Sequence, residues 1–294
     1  MKILIIMRYY LLVLFLVSCN TPHRLTNENA AAKIFRIHST HTSFPDPARS
    51  NGHIYDSVLY DAATHYSDSS VLIIVPPGFS AGKNIDLIFW FHGWRNNIDT
   101  ANQYYELSKQ FFASGRNAVL VLAETAKNAP DSYGGKLEKD GEFSFLIDDV
   151  LNELKTEKVI PQTTLTGNIT LAGHSGAFRV IAYILQNGRA KVQEVFLFDA
   201  LYSEVPKFMQ WIKEDPKNRF VHWYTNKGGG TDEVTKEMIQ QLQKEKIAFA
   251  EAEEASLTPE QIKNSRVLFV HSLREHNDII NKPDDFELLL KATR

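Results

Sequence analysis

Residues 168–177 of this chain read Asn-Ile-Thr-Leu-Ala-Gly-His-Ser-Gly-Ala. The stretch begins with an apolar run that is typical of a buried strand, and an amphipathic stretch that reaches Gln186 follows it. Between the two lies Gly173–Ala177, whose small residues suit a tight turn from a strand into a helix. Ser175 therefore stands at the head of the predicted helix, where a serine can also act simply as an N-cap.

The same alternation of short apolar runs and longer amphipathic stretches continues on both sides. Continuous runs such as Leu87–Phe91 and Val195–Phe198 are typical of strands that are buried on both faces. Strands are predicted at Lys33–His38, Ile54–Tyr60, Val71–Val75, Asp86–Phe91, Ala118–Ala123, Asn168–Ala172, Glu194–Phe198, Arg219–Tyr224 and Arg266–Val270. Helices are predicted at 101–113, 142–157, 176–186, 205–214 and 233–243. This order predicts an α/β fold with a doubly wound, mostly parallel sheet.

The early segment 33–75 differs from the rest, because it holds three strand-like runs with turn residues between them. The turn residues are Pro45-Asp46-Pro47 and Ser50-Asn51-Gly52. We therefore expect an antiparallel edge added to the parallel sheet at its N-terminal side. No linker interrupts residues 33–294, so one domain is predicted there.

The first residues are typical of an export signal. A basic start is followed by the apolar run Tyr9–Val17, which is too short to span a bilayer. The run ends in Leu16-Val17-Ser18-Cys19, which resembles the lipobox of bacterial lipoproteins. The resemblance implies a signal peptide at 1–18 and lipid attached to the sulfur and the new N-terminus of Cys19.

Cys19 is the only cysteine, so a disulfide within the chain is impossible and an attachment point explains the thiol better. An ordinary signal peptide with an incidental cysteine is the alternative. Residues 19–32 are predicted to be the lipidated cysteine and a polar tether. Asn20 stands where some sorting rules want Asp for inner-membrane retention, so the resemblance favours the outer membrane of a bacterial cell envelope.

Charge and motif content exclude several classes of function. Removal of residues 1–18 would move the formal net charge from -3 to -5, which argues against a nucleic-acid partner. The glycines at 228–230 are not followed by Lys-Ser/Thr, so a flexible loop is favoured over a phosphate cradle. No paired Cys or His spacing predicts a metal site, and no cofactor is expected.

Gly173-His174-Ser175-Gly176-Ala177 resembles the nucleophile elbow, G-x-S-x-G, of the α/β-hydrolase family. The sequence departs from that pattern at Ala177, where glycine is usual, but alanine is also small. The resemblance implies that Ser175 is the nucleophile of a serine hydrolase.

A second stretch, Asp86–Trp94, is an apolar strand that ends in His92-Gly93. In the α/β-hydrolase family the residue after His-Gly lends its backbone N–H to the oxyanion hole. The resemblance therefore implies that the N–H groups of Trp94 and Gly176 are the two donors, and that His92 shapes the loop.

The resemblance also implies a catalytic histidine far downstream of the nucleophile, in the order nucleophile, acid, histidine. His271 falls at the end of an apolar strand, where a structural histidine is the simpler interpretation. His276 falls in the polar loop beyond that strand and is the favoured base.

Two carboxylates compete for the role of the catalytic acid. Asp199 directly follows the predicted strand 194–198 and is slightly favoured. Asp232 follows the next strand and the glycine-rich loop, but it can equally belong to the first turn of a helix capped by Thr231. Asp278 is the next carboxylate to consider if neither of them acts.

These residues together predict a serine hydrolase that cleaves an ester through an acyl-enzyme on Ser175. A serine peptidase or amidase would use the same groups. A hydrolase fold that only binds, or a structural lipoprotein, is the alternative from another class. Residues 200–218 have room for one helix, so no large lid is expected. The open pocket that follows would suit a small ester or a bulky polymeric one such as an acylated glycan.

Overall fold

The computed structural model describes residues 31–227, 229–282 and 284–292. The predicted signal peptide, Cys19 and nearly all of the predicted tether lie outside the described residues. Across the described ranges, no helix combines the length and the apolar character that a membrane span needs.

The chain alternates strands and helices along most of its length. The strands are β1 (Lys33–His38), β2 (His53–Tyr55), β3 (Val58–Tyr60), β4 (Ser70–Val75), β5 (Asn84–Phe91), β6 (Ala118–Ala123), β7 (Leu165–His174), β8 (Val192–Phe198), β9 (Arg219–Thr225), β10 (Ala250–Glu253) and β11 (Val267–Ser272). The α-helices are α1 (Ala62–His65), α2 (Ile98–Tyr104), α3 (Leu107–Ser114), α4 (Glu142–Thr156), α5 (Phe178–Asn187), α6 (Val205–Glu214), α7 (Thr231–Lys244), α8 (Pro259–Asn264) and α9 (Asp285–Ala292).

Nine strands form one central sheet in the order β1-β4-β6-β5-β7-β8-β9-β11-β10. From β6 to β10 every neighbouring pair is parallel, whereas β4 is antiparallel to both β1 and β6. The prediction of a mostly parallel sheet with an antiparallel N-terminal edge is confirmed. Because the parallel strands all end at one edge, β5, β7, β8, β9 and β11 bring their last residues together there.

The sheet is covered on both faces, and this explains the continuous apolar runs. In β5, Leu87, Phe89 and Phe91 pack into the core on one face, while Ile88 and Trp90 pack into the core on the other. All five side chains are buried. Strands of this kind must be apolar at every position, since neither face meets water.

The predicted strand Ile54–Tyr60 is wrong, because this segment is a separate two-stranded hairpin and not part of the central sheet. Its strands pair from His53 with Tyr60 to Tyr55 with Val58. The two turn residues between them, Asp56 and Ser57, have φ angles of 48° and 63°, which is the positive-φ turn that two-residue hairpins favour.

The predicted helix 101–113 is also wrong in its extent, since the structure has two helices there. The first, α2, starts early because the Asn97 side chain accepts from the N–H groups of Asp99 and Thr100. The break between α2 and α3 falls at Glu106, whose φ of 51° lies in the left-handed region.

One buried histidine makes no hydrogen bond within the described residues. His222 on β9 is fully buried, and both of its ring nitrogens lack a partner. Its ring stacks on Tyr224 with 5.7 Å between ring centroids. Burial lowers the pKa of His222 to about 3, so the ring stays neutral in the folded protein.

We expect His222→Leu to stabilise the protein by about 1–2 kcal/mol, because two unsatisfied buried nitrogens are removed. The gain should grow as the pH falls below about 6.5, since the unfolded chain then binds a proton that folded His222 refuses. Urea unfolding at pH 7 and pH 5 measures both effects. His271→Leu is the control, because that half-buried ring is paired with Glu253 and should give no gain. A loss of stability in His222→Leu at both pH values would contradict the prediction.

Candidate active site

Ser175 lies where β7 turns into the helical segment that leads to α5. Its φ of 54° places it in the left-handed region, which is costly for a residue with a side chain. Such strain at a strand-to-helix turn holds the serine side chain clear of both elements. The turn resembles the predicted elbow in its backbone as well as in its sequence.

Glycines allow this turn to sit close to its neighbours. A Cβ atom on Gly173 would lie 2.6 Å from Ala177 Cβ, and one on Gly93 would lie 2.5 Å from Ser175 Cβ. Alanine at 177 in place of the usual glycine is therefore tolerated because Gly173 opposite it has no side chain. Gly176 is equally confined, since its Cβ would lie 2.5 Å from Cδ1 of Trp94. The loop after β5 thus packs directly on the serine turn.

His276 and Asp199 form a close pair at the same edge of the sheet. Nδ1 of His276 lies 2.5 Å from Oδ2 of Asp199, whose side chain is fully buried. The other oxygen, Oδ1, accepts hydrogen bonds from the Thr225 N–H at 3.2 Å and from the Thr231 hydroxyl. Burial alone would raise the pKa of Asp199, but the hydrogen bonds from His276 and Thr231 outweigh it and keep this pKa below its usual value.

The remaining predicted candidates lie in other surroundings. Asp232 is in the first turn of α7 and pairs with Lys236 at 3.1 Å. Asp278 pairs with Lys282 at 2.7 Å. Nδ1 of His271, on the outer part of the sheet, lies 2.9 Å from Glu253. The structure therefore brings Asp199, and neither of the other two carboxylates, to His276.

Thr231 has a role that the sequence did not indicate. It was predicted to cap α7, but Gly230 occupies the cap position and Thr231 is the first helical residue. Its buried hydroxyl donates to Asp199 instead. The threonine therefore stabilises the ionised form of that carboxylate.

A second histidine, His174, supports the loop that carries His276. Its Nε2 lies 3.0 Å from the backbone oxygen of His276, and its Nδ1 lies 3.0 Å from the hydroxyl of Tyr105. The first contact requires a hydrogen on Nε2, so Nδ1 accepts from Tyr105. Burial, with a contribution from nearby His276, lowers the pKa of His174 to about 3, which keeps the ring neutral.

His92, in the loop after β5, faces an acceptor at each ring nitrogen. Nδ1 lies 2.7 Å from the carbonyl oxygen of Gly93, and Nε2 lies 2.6 Å from Oε1 of Glu124. Both side chains are buried. Because a carbonyl oxygen can only accept, Nδ1 carries hydrogen and donates to Gly93, while Nε2 also lies 2.9 Å from the Thr125 hydroxyl. His92 thus holds the peptide unit that joins Gly93 to Trp94.

Ser175, His174 and His276 border a cavity of about 860 Å³ at the carboxyl edge of the sheet. Aromatic side chains form part of its wall, namely Trp94, Tyr104, Tyr105, Phe178 and Tyr202. The cavity is roomy enough for a drug-sized ligand.

Tyr202 and Trp94 take up defined positions in this wall. The Tyr202 hydroxyl hydrogen-bonds the side chain of Ser175, and its ring lies edge-on to His276. Nε1 of Trp94 donates to Oγ of Ser132 at 2.7 Å. Burial, assisted by the negative charge of Asp199, raises the pKa of Tyr202 above its usual value, so this hydroxyl keeps its proton.

No group of three or more His, Cys, Asp or Glu side chains that could hold a metal ion occurs in residues 31–227, 229–282 and 284–292.

The predicted short connection after β8 is present, since α6 is the one α-helix between β8 and β9.

No protein-family model and no curated protein matches this sequence. Solved structures do match it. A ferulic acid esterase shares 11% identity, with a TM-score of 0.55, over 90% of this chain and 98% of that one. FphF of Staphylococcus aureus, a fluorophosphonate-binding serine hydrolase, shares 10% identity with a TM-score of 0.52 over 90% and 99%.

The feruloyl esterase module of Clostridium thermocellum shares 12% identity, with a TM-score of 0.52, over 91% of this chain and 90% of that one. These three structures are α/β-hydrolases, and the likeness extends over nearly the whole described chain. The chain therefore has the α/β-hydrolase fold.

Proposed function

We propose that this protein is a serine hydrolase that cleaves an ester through an acyl-enzyme on Ser175. The observation that supports it most is the buried Asp199 paired with His276 on the same cavity as the strained Ser175. A fold that only binds has no need of this combination. Two of the similar structures bear names of esterases, which makes esters the first class of substrate to test.

In the proposed reaction, Oγ of Ser175 attacks the ester carbonyl carbon and its proton passes to Nε2 of His276. Asp199 holds Nδ1–H, which fixes the ring tautomer and stabilises the imidazolium that forms. His276 then gives the proton to the departing alcohol, and the acyl group stays on Ser175. Water, deprotonated by His276, then attacks the acyl carbon. The bond to Oγ breaks, Ser175 takes its proton back from His276, and the acid is released.

In this proposal, the backbone N–H groups of Trp94 and Gly176 donate to the carbonyl oxygen and stabilise the negative charge that develops on it. Support comes from the close packing of Gly93 on Ser175 and of Gly176 on Trp94. His92 contributes indirectly, since its Nδ1–H donates to the carbonyl of the Gly93–Trp94 peptide. This bond fixes the plane of the peptide and polarises the Trp94 N–H toward the substrate.

Labelling with a fluorophosphonate probe tests the proposal, because the probe reacts with an activated serine. We expect the wild-type protein to be labelled and Ser175→Ala to be unlabelled. Ser272→Ala, a change at a buried serine on β11 that donates to Glu254, is a matched control and should keep the label. A folded wild-type protein that takes no label would favour the binding-protein alternative.

Glu124→Gln should lower kcat for a short-chain ester about tenfold with little change in KM. Glutamine lacks the charge with which Glu124 holds the Nε2 side of the His92 ring, so the Nδ1–H bond that orients the Gly93–Trp94 peptide should weaken. Affinity for a boronate transition-state analogue should fall by the same factor. The control is Glu142→Gln, in a His–Glu pair remote from Ser175, where Nδ1 of His41 lies 2.8 Å from the carboxylate. Equal losses in both variants would argue against this role.

We further propose that Cys19 carries the lipid and that the protein is attached to the bacterial cell envelope, in the outer membrane rather than the inner. This proposal rests on the Leu-Val-Ser-Cys motif at 16–19. Cys19→Ala should abolish incorporation of an alkynyl palmitate, whereas Ser18→Ala should retain it. Palmitate incorporation that survives in Cys19→Ala would show that the motif is not a lipobox.

A further inference from the structure

Arg95 is an arginine at the catalytic cavity that pairs with no acid among the described residues. It follows Trp94 directly, is exposed, and borders the same cavity as Ser175 and His276. The described ion pairs account for the other charges nearby but do not include Arg95.

The acidic groups flanking the cavity already have cationic partners. Asp99, between lining residues 96 and 100, is paired with Arg36. Glu275, next to His276, lies 3.4 Å from Lys227. None of the described residues that line the cavity has a carboxylate side chain. Among the described residues that line the cavity, Arg95 is therefore the one with a permanent charge, and the ionised Asp199 lies behind His276.

The backbone at Arg95 is strained and firmly held. Its φ of 55° lies in the left-handed region, which favours glycine or asparagine over arginine. Its N–H donates to the Ala129 carbonyl at 2.9 Å, and the carbonyl of the next residue, Asn96, accepts from the Asn128 N–H at 2.7 Å, which ties the same two loops together. This backbone fixes the point at which the Arg95 side chain leaves the loop, directly after Trp94 at the border of the cavity.

We propose that Arg95 is an anion-binding subsite of the catalytic pocket, and that the natural ester carries a carboxylate, phosphate or sulfate group. The planar guanidinium offers paired N–H donors that match the oxygens of such groups. The aromatic wall would cover the uncharged part of the substrate. This inference rests on the proposed ester hydrolysis and adds the charge of the substrate to it.

The test compares matched esters that differ in one anionic group. On the acyl side, the pair is 4-nitrophenyl butyrate and 4-nitrophenyl hemiglutarate. On the alcohol side, phenyl butyrate is compared with its 4-carboxyphenyl, 4-sulfophenyl and 4-phosphophenyl counterparts. We expect wild-type kcat/KM to be at least tenfold higher for an anionic member of one series. Added salt should reduce that preference.

Arg95→Gln should remove the preference by lowering kcat/KM for the anionic ester at least tenfold while changing the neutral ester less than threefold. Arg95→Lys should keep part of it. Arg189→Gln is the matched control, because that exposed arginine is paired with Asp140 and neither residue borders the cavity. The series that responds identifies the side of the ester, and the group within it, that Arg95 binds.

Two results would overturn the inference. One is equal turnover of neutral and anionic esters by the wild-type protein. The other is an equal loss on both in Arg95→Gln, which would mean that Arg95 supports the oxyanion or the loop. Failure of the proposed function would look different, since no ester would then be turned over and no fluorophosphonate would label Ser175.

Discussion

Asp199→Asn should reduce ester turnover by about 10³–10⁴-fold and leave the fold intact. The amide has the shape of the carboxylate but presents an N–H₂ group to one of its partners. Thr225 and Thr231 donate to Oδ1, so the amide oxygen is held on their side and the N–H₂ faces Nδ1 of His276. Nδ1 must then accept, which places the ring hydrogen on Nε2, where it blocks proton transfer from Ser175.

Asp232→Asn is the matched control for this prediction. Its carboxylate contacts Lys236 in the first turn of α7, so its loss should cost at most about 0.3–1 kcal/mol of stability and little rate. Measuring kcat and melting temperature for both variants separates the two roles. A large rate loss in Asp232→Asn with a small one in Asp199→Asn would move the acid to the other loop. Small losses in both would leave Asp278 to be tested.

The pH dependence of the free energy of unfolding should also reflect the contacts of Asp199 with His276. The folded pKa of Asp199 is lowered, so the stabilisation from its contacts is complete above the ordinary aspartate pKa. It is lost as the pH falls toward the folded pKa, when the carboxylate must take up a proton. Asp199→Asn should therefore show a flatter acid limb of stability than the wild-type protein.

The sequence predicts most of the sheet because its strands are buried on both faces. Strands such as β5 and β8 are continuous apolar runs, and these are visible without any structure. β10 was missed, since its sequence Ala-Glu-Ala-Glu belongs to an edge strand with alternate exposed positions. The hairpin β2–β3 was missed because its turn, Asp56-Ser57, has neither glycine nor asparagine.

The site was predictable in part for a similar reason. The residues next to Ser175 in sequence, Gly173–Ala177, predict its position in a turn from a strand into a helix. The choice between Asp199 and Asp232 depends instead on which carboxylate lies next to His276 in the folded chain. Thr231 is adjacent to Asp232 in sequence, but its hydroxyl donates a hydrogen bond to Asp199. Glu124 and Tyr105 support the site through contacts with histidines at 92 and 174, more than thirty residues away in sequence. No local pattern indicates such pairs.

His276→Ala should lower turnover of a short-chain chromogenic ester at least a hundredfold, because Ser175 loses the base that takes its proton. His271→Ala should change turnover less than threefold, since that ring pairs with Glu253 on β10. If His271→Ala lost more turnover than His276→Ala, the catalytic histidine would lie within β11 and not in the loop after it.

The double variant His276→Ala/Asp199→Asn tests whether the pair acts as one unit. Asp199 is proposed to act through the imidazole that it orients, so its loss should cost nothing further once the imidazole is gone. The double variant should therefore turn over ester at the same rate as His276→Ala alone. If the two losses multiply instead, Asp199 affects the reaction by a route other than His276, such as the field at the cavity. Adding Glu124→Gln to the double variant tests the turnover that remains. A further fall would show that this turnover depends on the loop of Trp94, which acts on the substrate oxygen independently of the base.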